Sequence, residues 1–294
     1  MPSLKDVRTR IDSVNSTKQI TSAMKMVAAS KLRKSQNAVN NMRPYAAKLN
    51  EILQNLTASL DQDNKGVYGQ ERDLKHVLLI PITSNRGLCG AFNSNIIKAT
   101  QQLLNTDYAD LNAAGNVDIM TIGKKATDHF SKKDFKYIGN NDELFNMLSF
   151  DNVFPLAEDL MQDYASKKYD RIILIYNHFK NAATQVITTE QLLPVASENN
   201  KTGNAIQREY LFEPSKEEIV EELIPTILKV QFYKSLLDSF AAEHGARMLA
   251  MSQATDNATE LIKDLKLQYN KARQAAITGE ILEIVGGAEA LKSA

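Results

Sequence analysis

"LIPTILKVQFYKSLLDSFAAEHGARMLAMSQATDNATELIKDLKLQYNKARQAA", Leu223 to Ala276, decides the fold. At seven-residue intervals it places Leu223, Val230, Leu237, His244, Met251, Ala258, Leu265 and Ala272. Four residues after each stand Ile227, Lys234, Ala241, Met248, Thr255, Ile262, Tyr269 and Ala276. Thirteen of these sixteen positions are apolar, so the helix carries a heptad seam that needs a partner helix along its length. Pro225 kinks or restarts this helix. Ser215 and Glu218 form a capping box ahead of it, with Glu217, Glu221 and Glu222 where the positive end of a helix dipole favours acids.

The partner lies at the other end of the chain. Ser3 and Asp6 form a first capping box, and Leu4, Val7, Ile11 and Val14 come after it at helical spacing. After a phase slip near Thr17 the stripe resumes at Ile20, Met24, Val27, Ala28, Leu32, Val39, Leu49, Leu53, Leu56 and Leu60, and Pro44 bends the helix without ending it. The N-terminal helix enters the middle of the chain by its C-terminal end, whereas the second long helix leaves it by its N-terminal end. Pairing along the seams is therefore antiparallel. At 1.5 Å per residue the first helix reaches roughly 80–90 Å and the second roughly 100–110 Å, so the second overhangs. Its last stretch carries Ile277, Ile281, Leu282, Ile284, Val285 and Leu291 around much of its circumference, and a lone helix so apolar needs a sleeve from other chains.

Between the helices the period changes. "DQDNKGVYGQERD", Asp61 to Asp73, is polar and marks a boundary. "HVLLIPIT", "VDIMTIG" and "RIILIYN" are short apolar runs suited to buried strands, alternating with the helical patterns "AFNSNIIKATQQLL" and "VFPLAEDLMQDYASKK". "NNKTGNAIQ" is the exit loop. The fold class is α/β: a long antiparallel coiled coil of the terminal helices plus a central α/β, Rossmann-like domain with a mainly parallel sheet. The expected organisation is a coiled-coil helix over 1–60, the α/β domain over 74–211 and a second coiled-coil helix over 212–294.

Composition narrows the function. The formal net charge is zero, yet Ser13 to Asn50 holds seven Lys or Arg and no Asp or Glu. A local basic face on a neutral protein points to one acidic partner surface. It lacks the interleaved aromatics of a nucleic-acid binder. Cys89 is the only cysteine, so there is no internal disulfide, as expected in a reducing compartment, and a small core residue is a better account of it than a reactive thiol. His76, His129, His178 and His244 are scattered, with no H-x-x-x-H pair to bind metal, and His244 in the seam suits an interior hydrogen-bonded imidazole. No apolar run reaches the length of a membrane span, and the opening "MPSLKDVRTR" does not resemble a signal peptide.

"TSNRGLCGAFNSN" sits after a strand and before a helix, where α/β folds bind phosphates. It has neither G-x-x-x-x-G-K-[ST] nor G-x-G-x-x-G, so a glycine-enabled turn explains it better than nucleotide binding. Two alternatives to a partner-dependent subunit stay open: a freestanding nucleotide-binding enzyme that uses Asn85 to Asn93, with a coiled-coil dimerisation arm, and a simple coiled-coil tether.

Three stretches carry a resemblance: "ITSAMKMVAASKLRKSQ" with "RPYA", "TSNRGLCGAFN", and "EHGARMLAMSQATDNATELIKDLKLQYNKARQAAITGEILEIVGGAEAL". Together they resemble the gamma subunit of the rotary F-type ATP synthase of bacterial type. The resemblance implies a noncatalytic shaft inside a ring of alpha and beta subunits, with the α/β domain beside the epsilon subunit and the membrane c-ring. It implies no cofactor, no metal and no direct membrane insertion, and a peripheral place on the cytoplasmic face of the bacterial membrane. It makes Met24, Lys25, Lys31, Arg33 and Lys34 the counterpart of an acidic loop of the beta subunits. Arg273, Gln274, Thr278 and Glu280 become polar contacts near the shaft tip, with Ile281 and Val285 in its apolar sleeve and Met24 beside the tip region. Asn85, where the family commonly has an acid, and Gly279, where a longer polar residue is usual, depart from the pattern. A plastid-type cysteine pair is missing.

Overall fold

The structure is a computed structural model that describes residues 3–57, 66–70, 72–132, 135–195 and 216–292. The Ser215 cap, Leu60, most of the boundary after Asp61 and the "NNKTGNAIQ" loop lie outside these residues, as do the side chains of Leu53, Leu56 and Glu217 to Glu222. The element order is α1 (Leu4–Thr57), α2 (Gly66–Gly69), β1 (Val77–Pro81), α3 (Phe92–Asn105), α4 (Ala109–Ala113), β2 (Val117–Thr121), α5 (Lys124–Phe130), β3 (Lys136–Asn140), a 3-10 turn (Asp142–Phe145), α6 (Phe150–Ala165), β4 (Arg171–Phe179), β5 (Gln185–Leu193) and α7 (Lys216–Lys292). The chain divides into two compact units, residues 1–28 with 248–294, and residues 29–247, so each long helix contributes to both.

In the larger unit five strands form one sheet in the order β3-β2-β1-β4-β5. The pairs β1–β2, β1–β4 and β2–β3 are parallel and β4–β5 is antiparallel. The apolar run of β1 and the mostly apolar β2, which includes Asp118 and Thr121, are buried on both faces. One face packs Leu78, Ile80, Ile172 and Leu174 against Val153, Leu160 and Tyr164 of α6 and Ile224, Leu228 and Phe232 of α7, with Leu49 and Ile52 of α1 at the margin. The other packs Val77, Leu79 and Ile173 against Ile96 and Leu104 of α3 and Phe130 of α5. The sheet is thus doubly wound, as the α/β pattern predicts. β5, "QVITTEQLL", escaped the sequence pattern because an edge strand keeps polar residues on one side.

In the smaller unit α1 and α7 pair antiparallel. The Oγ1 atoms of Thr21 and Thr255 are 2.8 Å apart, and Lys25 Nζ donates to Ser252 Oγ at 2.9 Å, so the numbers rise on one helix as they fall on the other. The α1 cap forms as read: Asp6 N donates to Ser3 Oγ at 3.2 Å and Ser3 N to Asp6 Oδ2 at 3.3 Å.

The seam of α1 corrects the expected one. No phase slip occurs near Thr17. Val7, Thr21, Ala28 and Ser35 are buried and Val14, Met42 and Leu49 half-buried at unbroken seven-residue spacing. Thr21 and Ser35 hold seam positions with hydroxyl side chains, whereas Ile20 and Val27, which an apolar count assigns to the stripe, are 61% and 58% exposed. Helix runs through both Pro44 and Pro225.

Candidate functional site

Three surfaces carry the candidate chemistry. The first is α1 between Ile20 and Lys34. Ile20, Val27, Lys31 and Lys34 are exposed and Met24 half-buried, and their spacing of three and four places them along one side of the helix. Apolar side chains sharing a stripe with cations, with no acid between Ser13 and Asn50, make a surface suited to an acidic partner that also carries apolar groups. Arg33 is exposed as well. Lys25 is exposed but tied to Ser252. The charge of Lys31 acts on the carboxyl of Glu243 in α7, so this cation is partly answered within the chain.

The second surface is the tip. The alignment set by Thr21 and Thr255 brings Leu4, the first residue of α1, level with Ala272. Beyond that point α7 continues to Lys292, and among the described residues α1 no longer runs beside it. Arg273, Gln274, Thr278 and Glu280 are exposed, and Ile281 and Val285 are 54% and 55% exposed. Thr278 Oγ1 donates to the Gln274 carbonyl at 2.9 Å. Met24, expected beside the tip, is level with Ser252 and sits roughly 30 Å of helix below Arg273. A methyl group on Gly279 would meet nothing within 4 Å, so packing does not demand this glycine.

The third surface is the crevice at the carboxyl ends of β1 and β4. The crossovers reverse direction there, and doubly wound sheets take ligands at such points. Here α7 occupies it. Arg247 Nη2 donates to the carbonyl oxygens of Arg86 and Gly87 at 2.9 and 3.1 Å, and its Nη1 donates to Glu243 Oε1. Gly245 lets α7 pass the end of β4, because a Cβ there would lie 3.2 Å from the Phe179 ring. The loop offers carbonyl oxygens to a guanidinium where a phosphate loop would offer N–H groups. This arrangement disfavours the nucleotide-binding enzyme.

Ser84 N donates to Asn93 Oδ1 at 2.9 Å, and Asn93 Nδ2 donates to Cys89 Sγ at 3.1 Å. Burial raises the Cys89 thiol pKa, as befits a core thiol. Asn85 has a structural task that an acid could not perform: its Nδ2 donates to the Asp142 carbonyl at 2.8 Å while its Oδ1 accepts from Lys124 N at 3.0 Å. Among the described residues no group of three or more His, Cys, Asp or Glu could hold a metal, and no helix is long and apolar enough to cross a membrane.

Sequence reasoning missed Arg247 and Glu243, which stand inside a quoted motif but look like solvated helix residues at i and i+4. Their signal was position. They share the buried segment of α7 with Asp238 and His244, all on a helix whose seam leaves room for few polar residues.

An antiparallel pair of long helices in one unit and a doubly wound α/β sheet in the other define the class, an α/β protein with a long helical pair. The family model described as ATP synthase matches residues 3–291. The ATP synthase gamma chain of Christiangramia forsetii is 57% identical over 294 residues, covering 99% of each chain. A chain from the central stalk and c-ring structure of Tetrahymena thermophila mitochondrial ATP synthase is 31% identical with a TM-score of 0.60, covering 80% of this chain and 99% of that one. A chain from the Euglena gracilis mitochondrial ATP synthase shares the fold at TM-score 0.66 and 22% identity, covering 99% of this chain and 95% of that one. The chain belongs to the ATP synthase gamma-chain family.

Proposed function

We propose that this chain is the central rotor shaft of an F-type ATP synthase, coupling proton translocation through the membrane sector to ATP synthesis and hydrolysis at the beta subunits by rotation. The shaft itself is noncatalytic. It turns within alpha and beta subunits, is joined by epsilon and the c-ring, and is held peripherally at the cytoplasmic face of the bacterial membrane. The arms, residues 1–60 and 212–294, enter the ring, and the domain over 74–211 meets epsilon and the c-ring.

The observation that carries this reading is the unpaired tip, an exposed helix with Ile277, Ile281, Leu282, Ile284 and Val285 on its surface. Apolar area of that kind is stable only inside a sleeve. Rotation can shift each catalytic site only by the difference in contact energy between its open and closed states. The stripe from Ile20 to Lys34, with Arg33 beside it, and the polar tip residues Arg273, Gln274, Thr278 and Glu280 supply contacts confined to particular sides of the shaft.

The test is co-purification of the tagged chain with alpha, beta and epsilon subunits in a complex with ATPase activity. Truncation after Ala276 should then leave the complex uncoupled or poorly assembled. Fully coupled activity after truncation refutes the tip contact, and a chain that hydrolyses ATP alone restores the enzyme alternative.

A further inference from the structure

We propose that Thr21 and Thr255 are the positioning pair that fixes the axial alignment of the two helices in the arm, with Lys25 and Ser252 as a second tie. The consequence for rotation rests on the shaft role, whereas the alignment stands without it.

An apolar heptad seam is nearly degenerate to sliding. Moving one helix by seven residues sets apolar side chains against apolar side chains again. What breaks the degeneracy is a polar contact that forms in one alignment alone. Thr21 is 8% exposed, and its heptad equivalents in α1 are Val7, Val14 and Ala28. Thr255 has Met248, Ile262 and Tyr269 as its equivalents in α7. The Thr255 hydroxyl also reaches the Met251 carbonyl at 2.8 Å, which favours Thr21 as the donor in the 2.8 Å contact between the two hydroxyls. The alternative acceptor for Thr21, the Lys18 carbonyl, is longer at 3.1 Å.

A slide of one heptad in either direction sets Thr21 against Met248 or Ile262, and Thr255 against Val14 or Ala28. The cross-helix hydroxyl contact vanishes, and the bond from Lys25 Nζ to Ser252 Oγ breaks with it. The pair sacrifices apolar area in the seam to select one alignment, the best-attested use of buried polar groups. Such a slide would carry α7 about 10 Å along α1 and change the length of unpaired tip by the same amount.

Engineered disulfides read the alignment directly. In a Cys89→Ala background, Val14→Cys with Ile262→Cys reports the present alignment, and Val14→Cys with Tyr269→Cys or Val7→Cys with Ile262→Cys reports a slide either way. The full-length chain is tested alone and co-expressed with the other ATPase subunits. With both threonines present, only the Val14–Ile262 pair should close. With Thr21→Val and Thr255→Val together, its closure should fall several-fold and a slid pair should close, while the melting temperature holds or rises. Thr21→Ser with Thr255→Ser should restore the parent pattern, since the hydroxyls return. Unchanged closure in the valine chain overturns the proposal, and so does a serine chain that behaves like the valine one. Failure to co-assemble counts against the shaft role alone, because the disulfide pattern remains readable in the free chain.

Discussion

Arg247 donates through Nη2 to the carbonyl oxygen of Arg86 at 2.9 Å, across 161 residues of sequence. The guanidinium also holds Glu243, a carboxyl only 6% exposed. Burial raises the Glu243 pKa, and the charges of Arg247 and Lys31 oppose that rise. The pair fixes a turn of α7 to the loop that ends β1, and this contact makes a ligand crevice part of the core.

Arg247→Met should therefore destabilise the chain by about 3–5 kcal/mol, because it strands a buried carboxylate and two loop carbonyls at once. Glu243→Gln should cost less, since the amide oxygen still accepts from the guanidinium. Urea unfolding of both variants checks the order. An Arg247→Met chain within about 1 kcal/mol of the parent shows that the loop holds without it.

Gly123 begins α5 with φ at +104°, and a Cβ there would lie 1.9 Å from the Thr83 carbonyl oxygen. Thr83 cannot retreat, because its Oγ1 donates to the Gly123 carbonyl at 3.0 Å and accepts from Ala126 N at 2.9 Å. Gly123→Ala combines backbone strain with a backbone clash, so about 2–5 kcal/mol is expected. Gly115, with φ at +73° and nothing within 4 Å of its Cβ, isolates the strain. Gly115→Ala should cost only about 1–2 kcal/mol. Thermal unfolding of the two variants separates clash from strain, and equal losses would remove the clash from the account.

Legibility tracked the number of surfaces each element faces. From Met248 to Ala276 helix α7 meets α1 on one side, and the seam is where the heptad places it: Met251, Ala258 and Leu265 are buried, and Met248, Thr255, Ile262 and Tyr269 half-buried. Between Ile224 and Arg247 the same helix is buried on several sides, so Leu228, Phe232, Ser235 and Ala242 join the core outside the seam and periodicity loses its meaning. In α1 the hydropathy pattern pointed outward. Ile20 and Val27 are apolar yet exposed, whereas Thr21 and Ser35 are polar inside because their hydroxyls find oxygen partners. A pattern drawn from apolar residues alone cannot separate a seam from an exposed apolar stripe. The tip was readable for the opposite reason: apolar residues on too many sides of one helix have no single-chain solution.

His244 gives the final prediction. It is 4% exposed, and its pKa is lowered from 6.5 to about 3 by burial first, then by the Arg247 and Lys31 charges. The imidazole is therefore neutral in the fold at neutral pH, while in the unfolded chain it takes up a proton below its ordinary pKa. Its contribution to stability is fully present above about pH 6.5 and is lost as pH falls toward 3, with a slope approaching about 1.4 kcal/mol per pH unit. Glu243 works in the opposite sense, since a raised carboxyl pKa gives a contribution that is lost as pH rises past its ordinary range. A direct pH profile would mix the two, but the difference between the parent and a His244→Met chain isolates the imidazole. Nε2 of His244 is buried without a hydrogen-bond partner, so His244→Met should change stability at pH 7.5 by less than about 1.5 kcal/mol. Between pH 6 and 4 the methionine chain should gain steadily on the parent in urea unfolding at low micromolar concentration. Parallel profiles for the two chains would place a protonated imidazole in the folded state.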